Sequence, residues 1–220
     1  MKGIKFPVLT NPSIYEVPHQ WDFVFLEMQY YLLYKPFQVL SQFTSTDNKL
    51  CLKDIIEVSK DVYPVGRLDY DSEGLLLLTN DTKVNHALLH PSFEHVRTYW
   101  VQVDGAITEE AIAQLQNGVS INVDGVQYPT KPAILSLLPD NIKVPDRNPP
   151  IRYRKSIPTS WASIQLTEGK NRQVRKMFAA VGFPVLRLIR AQLGKYTIET
   201  MKPGDLRSLS EQEVQQGLFR

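Results

Sequence analysis

The chain has 220 residues, 43% hydrophobic and 22% charged, the balance of an ordinary soluble globular protein with room for one large domain or two small ones. Its longest apolar runs, Tyr30–Tyr34 and Leu75–Leu78, are far too short to span a bilayer, and the N-terminus MKGIKFPVLTNP has no signal-peptide apolar stretch. A single cysteine, Cys51, excludes an internal disulfide and a cysteine-based zinc site, and it fits a reducing, cytoplasmic setting.

Residues 1–28 hold Pro7, Pro12 and Pro18 and show no sustained period, so they read as an N-terminal extension. Tyr30–Tyr34, stopped by Lys35-Pro36, reads as a buried strand, with Val39–Phe43 pairing beside it. A short helix is predicted over Leu52–Val58. Strands are predicted over Val62–Leu68 and Leu75–Thr79, flanking the polar segment Asp69–Gly74. Thr82–Leu89 reads as a helix with Pro91 just beyond it. Val96–Val103 alternates as a strand, and Thr108 caps a helix over 109–117 closed by Gly118. Ala133–Leu138 and Trp161–Leu166 read as strands separated by the proline-rich stretch Pro139–Pro158. Asn171–Val181 reads as a helix and Val185–Ile189 as a returning strand. Intermixed helices and alternating strands, with no evident linker, point to a single α+β domain over 29–220. Its sheet is expected to be mixed or largely antiparallel, flanked by helices.

A net charge of +2 requires no nucleic-acid partner by itself, but its distribution is uneven. Between Gly169 and Ile198 there is no Asp or Glu, against Lys170, Arg172, Arg175, Lys176, Arg187, Arg190 and Lys195. Arg147, Arg152, Arg154 and Lys155 form a second basic cluster just before it. Like charges gathered this way are a candidate phosphate footprint, although a solvated basic helix has the same look.

The densest polar segment is Gly66-Arg67-Leu68-Asp69-Tyr70-Asp71-Ser72-Glu73-Gly74, set between apolar runs. A short loop so framed holds its side chains in fixed places. Asp69, Asp71 and Glu73 lie two apart, so an extended chain puts all three on one side. That spacing suits a magnesium site, a pair of acids cleaving a glycoside, or one aspartate acting alone on a glycosidic bond. On the helix that follows Thr167-Glu168-Gly169, Val174, Met177, Phe178 and Val181 face the core, while Arg172, Arg175 and Lys176 share another face. One of these arginines is expected to turn inward and pair with the acidic loop.

Taken together, the segments resemble the RsuA-like pseudouridine synthases. GRLDYDSEGLLLLTND resembles their catalytic motif. EGKNRQVRKMF with VGFPVLRLIRAQLGKY resembles their later basic motif. YLLYKPFQVLSQFTS resembles their opening strand and turn, and VRTYWVQVDG the strand carrying their active-site tyrosine. RNPPIRYRKSIPTSW is similar to the subgroup that modifies 23S ribosomal RNA. The resemblance runs in family order across roughly residues 30 to 210. It implies a pseudouridine synthase fold and the isomerisation of a uridine in ribosomal RNA, without a cofactor or metal. It implies Asp69 as the catalytic aspartate, Arg175 as its basic partner, and Tyr99 against the target base. Arg67 would enter the space left by the flipped nucleotide, and Leu188 would be an apolar wall. Arg172, Lys176, Arg154 and Lys155 are the further RNA-binding candidates. Many relatives carry an N-terminal S4-type RNA-binding domain; only 29 residues precede the core here, so RNA affinity is expected from the catalytic domain itself. Nothing in the sequence demands more than a monomer. Two rivals stay open: a non-catalytic RNA-binding protein that keeps the fold, and a metal-dependent nuclease or phosphatase built on the three acids.

Overall fold

The structure, a computed structural model, describes residues 27–45, 47–139, 141–151 and 158–219. The extension assigned to 1–28 therefore lies almost wholly outside the described residues, as do Arg152, Arg154 and Lys155.

In chain order the elements are β1 (Tyr30–Lys35), β2 (Tyr63–Pro64), β3 (Glu73–Thr79), α1 (Thr82–Leu89), β4 (Arg97–Asp104) and α2 (Glu109–Asn117). There follow β5 (Ser120–Val123), β6 (Val126–Pro129), β7 (Ile134–Leu137), β8 (Thr159–Leu166), α3 (Gln173–Ala180), β9 (Val185–Leu193), β10 (Tyr196–Thr197), β11 (Leu206–Leu209) and α4 (Glu211–Leu218). One mixed sheet runs in the order β11-β1-β3-β9-β4-β8-β7, with β10 on β9 and β2 on β3. All of its ladders are antiparallel except β3 with β9, which is parallel.

Every residue of β3 is buried, because helices and loops cover both faces of the sheet there. The pleat sends Leu75 and Leu77 to one side, where they pack with Tyr34, Ile189 and the apolar faces of α1 and α4. It sends Leu76 and Leu78 to the other, against Val39, Leu52 and Leu68. Further along that second face, Val101, Ile164 and Leu188 pack under α2 and α3. Tyr99 touches both clusters of the second face and so marks their junction.

Several predicted elements are shorter than expected. Val39–Phe43 makes a single bridge, Leu40 to Cys51, instead of a strand. Leu52–Val58 is one 3-10 turn, Leu52–Asp54. The run Val62–Leu68 pairs only at Tyr63–Pro64. Proline has no N–H to donate, and Gly66 at φ 70 turns the chain out of the ladder. The hairpin β5–β6 was not expected, although its Asp124-Gly125 turn between alternating residues is a readable signal; both residues adopt positive φ, 52 and 87. Strand β9 continues beyond the predicted end at Ile189, through Arg190 to Leu193.

Candidate active site

Two loops on the second face hold the site. The turn after β1 is pinned from within by Lys35, whose buried Nζ donates to the carbonyls of Pro36 (2.8 Å) and Val39 (2.7 Å). That turn grips the acidic loop. Ser41 Oγ donates to Leu68 O (2.8 Å) and accepts from Leu68 N (3.0 Å), and Gln38 N donates to Tyr70 O (2.9 Å). Ser72 N closes back on Asp69 O at 3.0 Å, making Tyr70-Asp71 the tip of a tight turn. The Lys-Pro motif thus acts as a bracket for the segment that carries Asp69.

The turn separates the three acids, against the expectation that they share one side. Glu73 enters β3 and points to the opposite face, where Arg187 meets it fork to fork at 2.7 and 2.8 Å. Both side chains are almost fully buried, Arg187 at 7% and Glu73 at 1% exposure. Asp71 accepts two hydrogen bonds from Arg172, at 2.9 and 2.8 Å. Partial burial pushes the Asp71 carboxyl up, but those hydrogen bonds and the nearby Arg175 charge outweigh it and hold it below its usual range. Asp69 keeps 36% of its side chain exposed and has Arg172 Nη1 at 3.6 Å. Among the described residues, no group of three His, Cys, Asp or Glu converges as a metal site.

Both arginines of the helix face reach the acidic loop, but the pairing differs from the one expected. Arg172 sits at the N-cap of α3 with a left-handed backbone, φ 54, and that turn swings its side chain over Asp69 and Asp71 together. Arg175, only 12% exposed, approaches Asp71 (Nε to Oδ2, 3.4 Å) and donates to the backbone oxygen of Asp71 at 2.6 Å. It also donates to Val185 O at 3.3 Å, so it ties loop, helix and β9 into one body. Among the described residues, no ion pair within 4.0 Å joins Arg175 to Asp69. Nor is Asp69 wholly dry: over a third of it faces solvent.

Tyr99 lies half-buried on β4 opposite Arg190, with Leu188 buried two positions along the same face of β9. Beside Tyr99 opens a cavity of about 350 Å³, whose walls include Arg67, Leu77, Lys170, Arg190 and Leu193. Arg67 is exposed at its edge. The structure thus brings Asp69, Arg172 and Arg175 together around Asp71, and Arg67 with Tyr99 into a cavity that none of those residues lines. Lys176 is half-buried further along α3 and forms no ion pair among the described residues.

The charge count hid two residues. The charge pattern places Arg187 and Arg190 in the candidate phosphate footprint, yet both are buried, and Arg187 is committed to Glu73 and to Pro145 O (2.7 Å). The apolar setting of VLRLIRAQL is the signal that could have marked them. Of the second basic cluster, the described Arg147 stacks over the Phe37 ring at 4.1 Å from its centroid, next to the bracketing turn.

The RNA pseudouridylate synthase family profile matches residues 29–180. A Vibrio parahaemolyticus protein named ribosomal large subunit pseudouridine synthase E is 46% identical over 175 residues, 80% of this chain and 71% of its own length. A protein of the same name from Xanthomonas axonopodis pv. citri is 46% identical over 174 residues, 78% of this chain and 89% of its own. A solved pseudouridylate synthase structure superposes with a TM-score of 0.70 at 28% identity, covering 87% of this chain and 74% of that one. With most of the described sheet inside these matches, the chain belongs to the RNA pseudouridylate synthase family and is an isomerase of RNA uridines.

Proposed function

We propose that this chain isomerises a uridine of large-subunit ribosomal RNA, with Asp69 as the catalytic carboxylate, acting as a monomer in the cytoplasm. The ribosomal substrate follows the names of its relatives. One observation carries the choice of carboxylate. Of the three acids in the loop, Glu73 is locked to Arg187 and Asp71 has both carboxylate oxygens hydrogen-bonded to Arg172, whereas Asp69, about as exposed as Asp71, has Arg172 no nearer than 3.6 Å and so has oxygens to offer a ligand.

The reaction breaks the N1–C1′ bond, turns the uracil and joins C5 to C1′. A carboxylate beside C1′ can trap the sugar or remove a proton from it. Arg172 at 3.6 Å steadies such a group while leaving its outer face free. The uridine must leave the helical stack, at roughly a few kcal/mol. Stacking on Tyr99 returns about 1–3 kcal/mol of that. Arg67, exposed at the cavity edge, would occupy the space the base vacates, and Leu188 would supply an apolar wall. Arg175 acts here through the loop backbone rather than on Asp69 directly. Lys176, Arg154 and Lys155 are assigned to phosphate contacts. Bound RNA would cover the exposed part of Asp69 and exclude the water that otherwise competes.

Tritium release from ribosomal RNA labelled at uridine C5 tests the reading, since C5 loses its hydrogen when it bonds C1′. Wild-type chain is expected to release it. Asp69→Asn is expected to release none while still binding RNA. No release from large-subunit RNA or its precursor particles would defeat the proposal.

A further inference from the structure

The cavity beside Tyr99 lies in a wedge of the sheet. Strands β3 and β9 pair at only two positions, Glu73 with Ile189 and Gly74 with Arg190. Beyond them the strands part, and Leu77 and Leu193 line the opening from either side. Arg190 stands at the vertex. It is 5% exposed, lines the cavity, and its Nε is buried without a hydrogen-bond partner. Among the described residues, no carboxylate pairs with it. A guanidinium so placed is unfavourable unless an anion joins it, because burial removes its water and nothing replaces it.

The rest of the lining is net positive: Arg67, Arg97, Lys131 and Lys170 outnumber the two carboxylates, Glu94 and Glu168. Glu94 holds Lys131 at 2.6 Å, and Glu168 accepts from the Tyr128 hydroxyl (2.6 Å) and Lys131 N (2.9 Å). Lys170 lies over the Tyr128 ring at 4.7 Å, and Arg67 and Arg97 complete the mouth. A pocket that ends on an unpaired guanidinium and is rimmed by cations fits a tetrahedral oxyanion, whose oxygens an arginine fork can engage in pairs.

We propose that the wedge cavity is a phosphate site, in which one phosphodiester next to the target uridine pairs with Arg190. This rests on the chain acting on RNA. A grip on the backbone there would fix the register of the strand while the base turns toward Tyr99 and Asp69.

The test compares wild type with Arg190→Met and Lys170→Gln. First, thermal unfolding is followed in sodium phosphate and in sodium chloride of equal ionic strength. Wild type is expected to gain stability saturably with phosphate. Arg190→Met is expected to match or exceed wild type in chloride, since it removes an unpaired buried charge, and to lose the phosphate gain. Lys170→Gln, at an exposed position, is expected to weaken phosphate about threefold. Second, binding to a ribosomal RNA fragment is measured against salt. Arg190→Met is expected to weaken it about tenfold and to flatten the log–log salt slope by about one phosphate, roughly 0.7–0.9. An Arg190→Met chain that unfolds in chloride, a phosphate gain that survives it, or unchanged Lys170→Gln affinity overturns the site. Phosphate binding lost with unaltered RNA affinity and slope marks a free-phosphate pocket and overturns the RNA assignment. A wild type that binds phosphate through Arg190 but releases no tritium defeats the enzymatic reading and supports the site.

Discussion

Arg172 holds Asp71 with both arms of its guanidinium while one of those nitrogens lies 3.6 Å from Asp69, so a single side chain sets the spacing of the two aspartates. The left-handed backbone at Arg172 is what allows this reach from the start of α3. Asp71 therefore positions Arg172, and Arg172 positions Asp69. Asp71→Asn keeps the shape but weakens the grip. Tritium release is expected to fall about tenfold to hundredfold, as when a reacting group moves by an ångström, with RNA affinity nearly unchanged. A variant as inactive as Asp69→Asn would instead make Asp71 the reacting group.

Gly74 and Arg190 set the wedge between β3 and β9. Gly74 has φ 107, and a Cβ added there would lie 2.6 Å from the Arg190 backbone nitrogen. Alanine can neither take that conformation cheaply nor fit that gap. Gly74→Ala is expected to lose at least about 2 kcal/mol in urea unfolding. An effect under about 0.5 kcal/mol would mean that the strands part without cost.

The Glu73–Arg187 pair is buried and does not line the cavity. Removing one partner leaves the other charged and dry. Glu73→Gln or Arg187→Met alone is expected to destabilise by about 3–5 kcal/mol. The double variant Glu73→Leu with Arg187→Met is expected to recover most of that loss, and a double-mutant cycle by urea unfolding reads the coupling. Additive losses would show that the two do not act as a pair.

Lys35 gives a pH signature. Burial pushes its ammonium down from 10.5 to about 7, against the opposing charges of Glu73, Asp71 and Asp69. The neutral amine still has two N–H groups for the two carbonyls it bonds. Its folded pKa lies below its unfolded one, so between about pH 7 and 10.5 the unfolded chain binds the extra proton. Its contribution to stability is therefore expected to rise with pH across that window, by up to about 1.4 kcal/mol per unit, and to stay flat below it. Urea unfolding at pH 6, 7.5 and 9 should show this rise in wild type relative to Lys35→Met. Parallel curves would place the Lys35 pKa near its ordinary value.

Local pattern alone determined much of this chain. The caps at Thr108 and Gly118, the alternation over β4 and the buried run of β3 are written in near neighbours, and the helix and strands form where they predict. The motif order across 30–210 likewise named the family. Pairings between distant residues were decided only by the tertiary structure. Spacing put Asp69, Asp71 and Glu73 on one side, but the turn at Tyr70-Asp71 sends Glu73 through the sheet to Arg187, 114 positions away. Which arginine meets which aspartate depended on one left-handed residue at the head of α3. That Arg190 is buried at the parting of two parallel strands depended on Gly74, far off in sequence. Charge and periodicity are local properties; the burial of a charge is decided by whatever the fold packs against it.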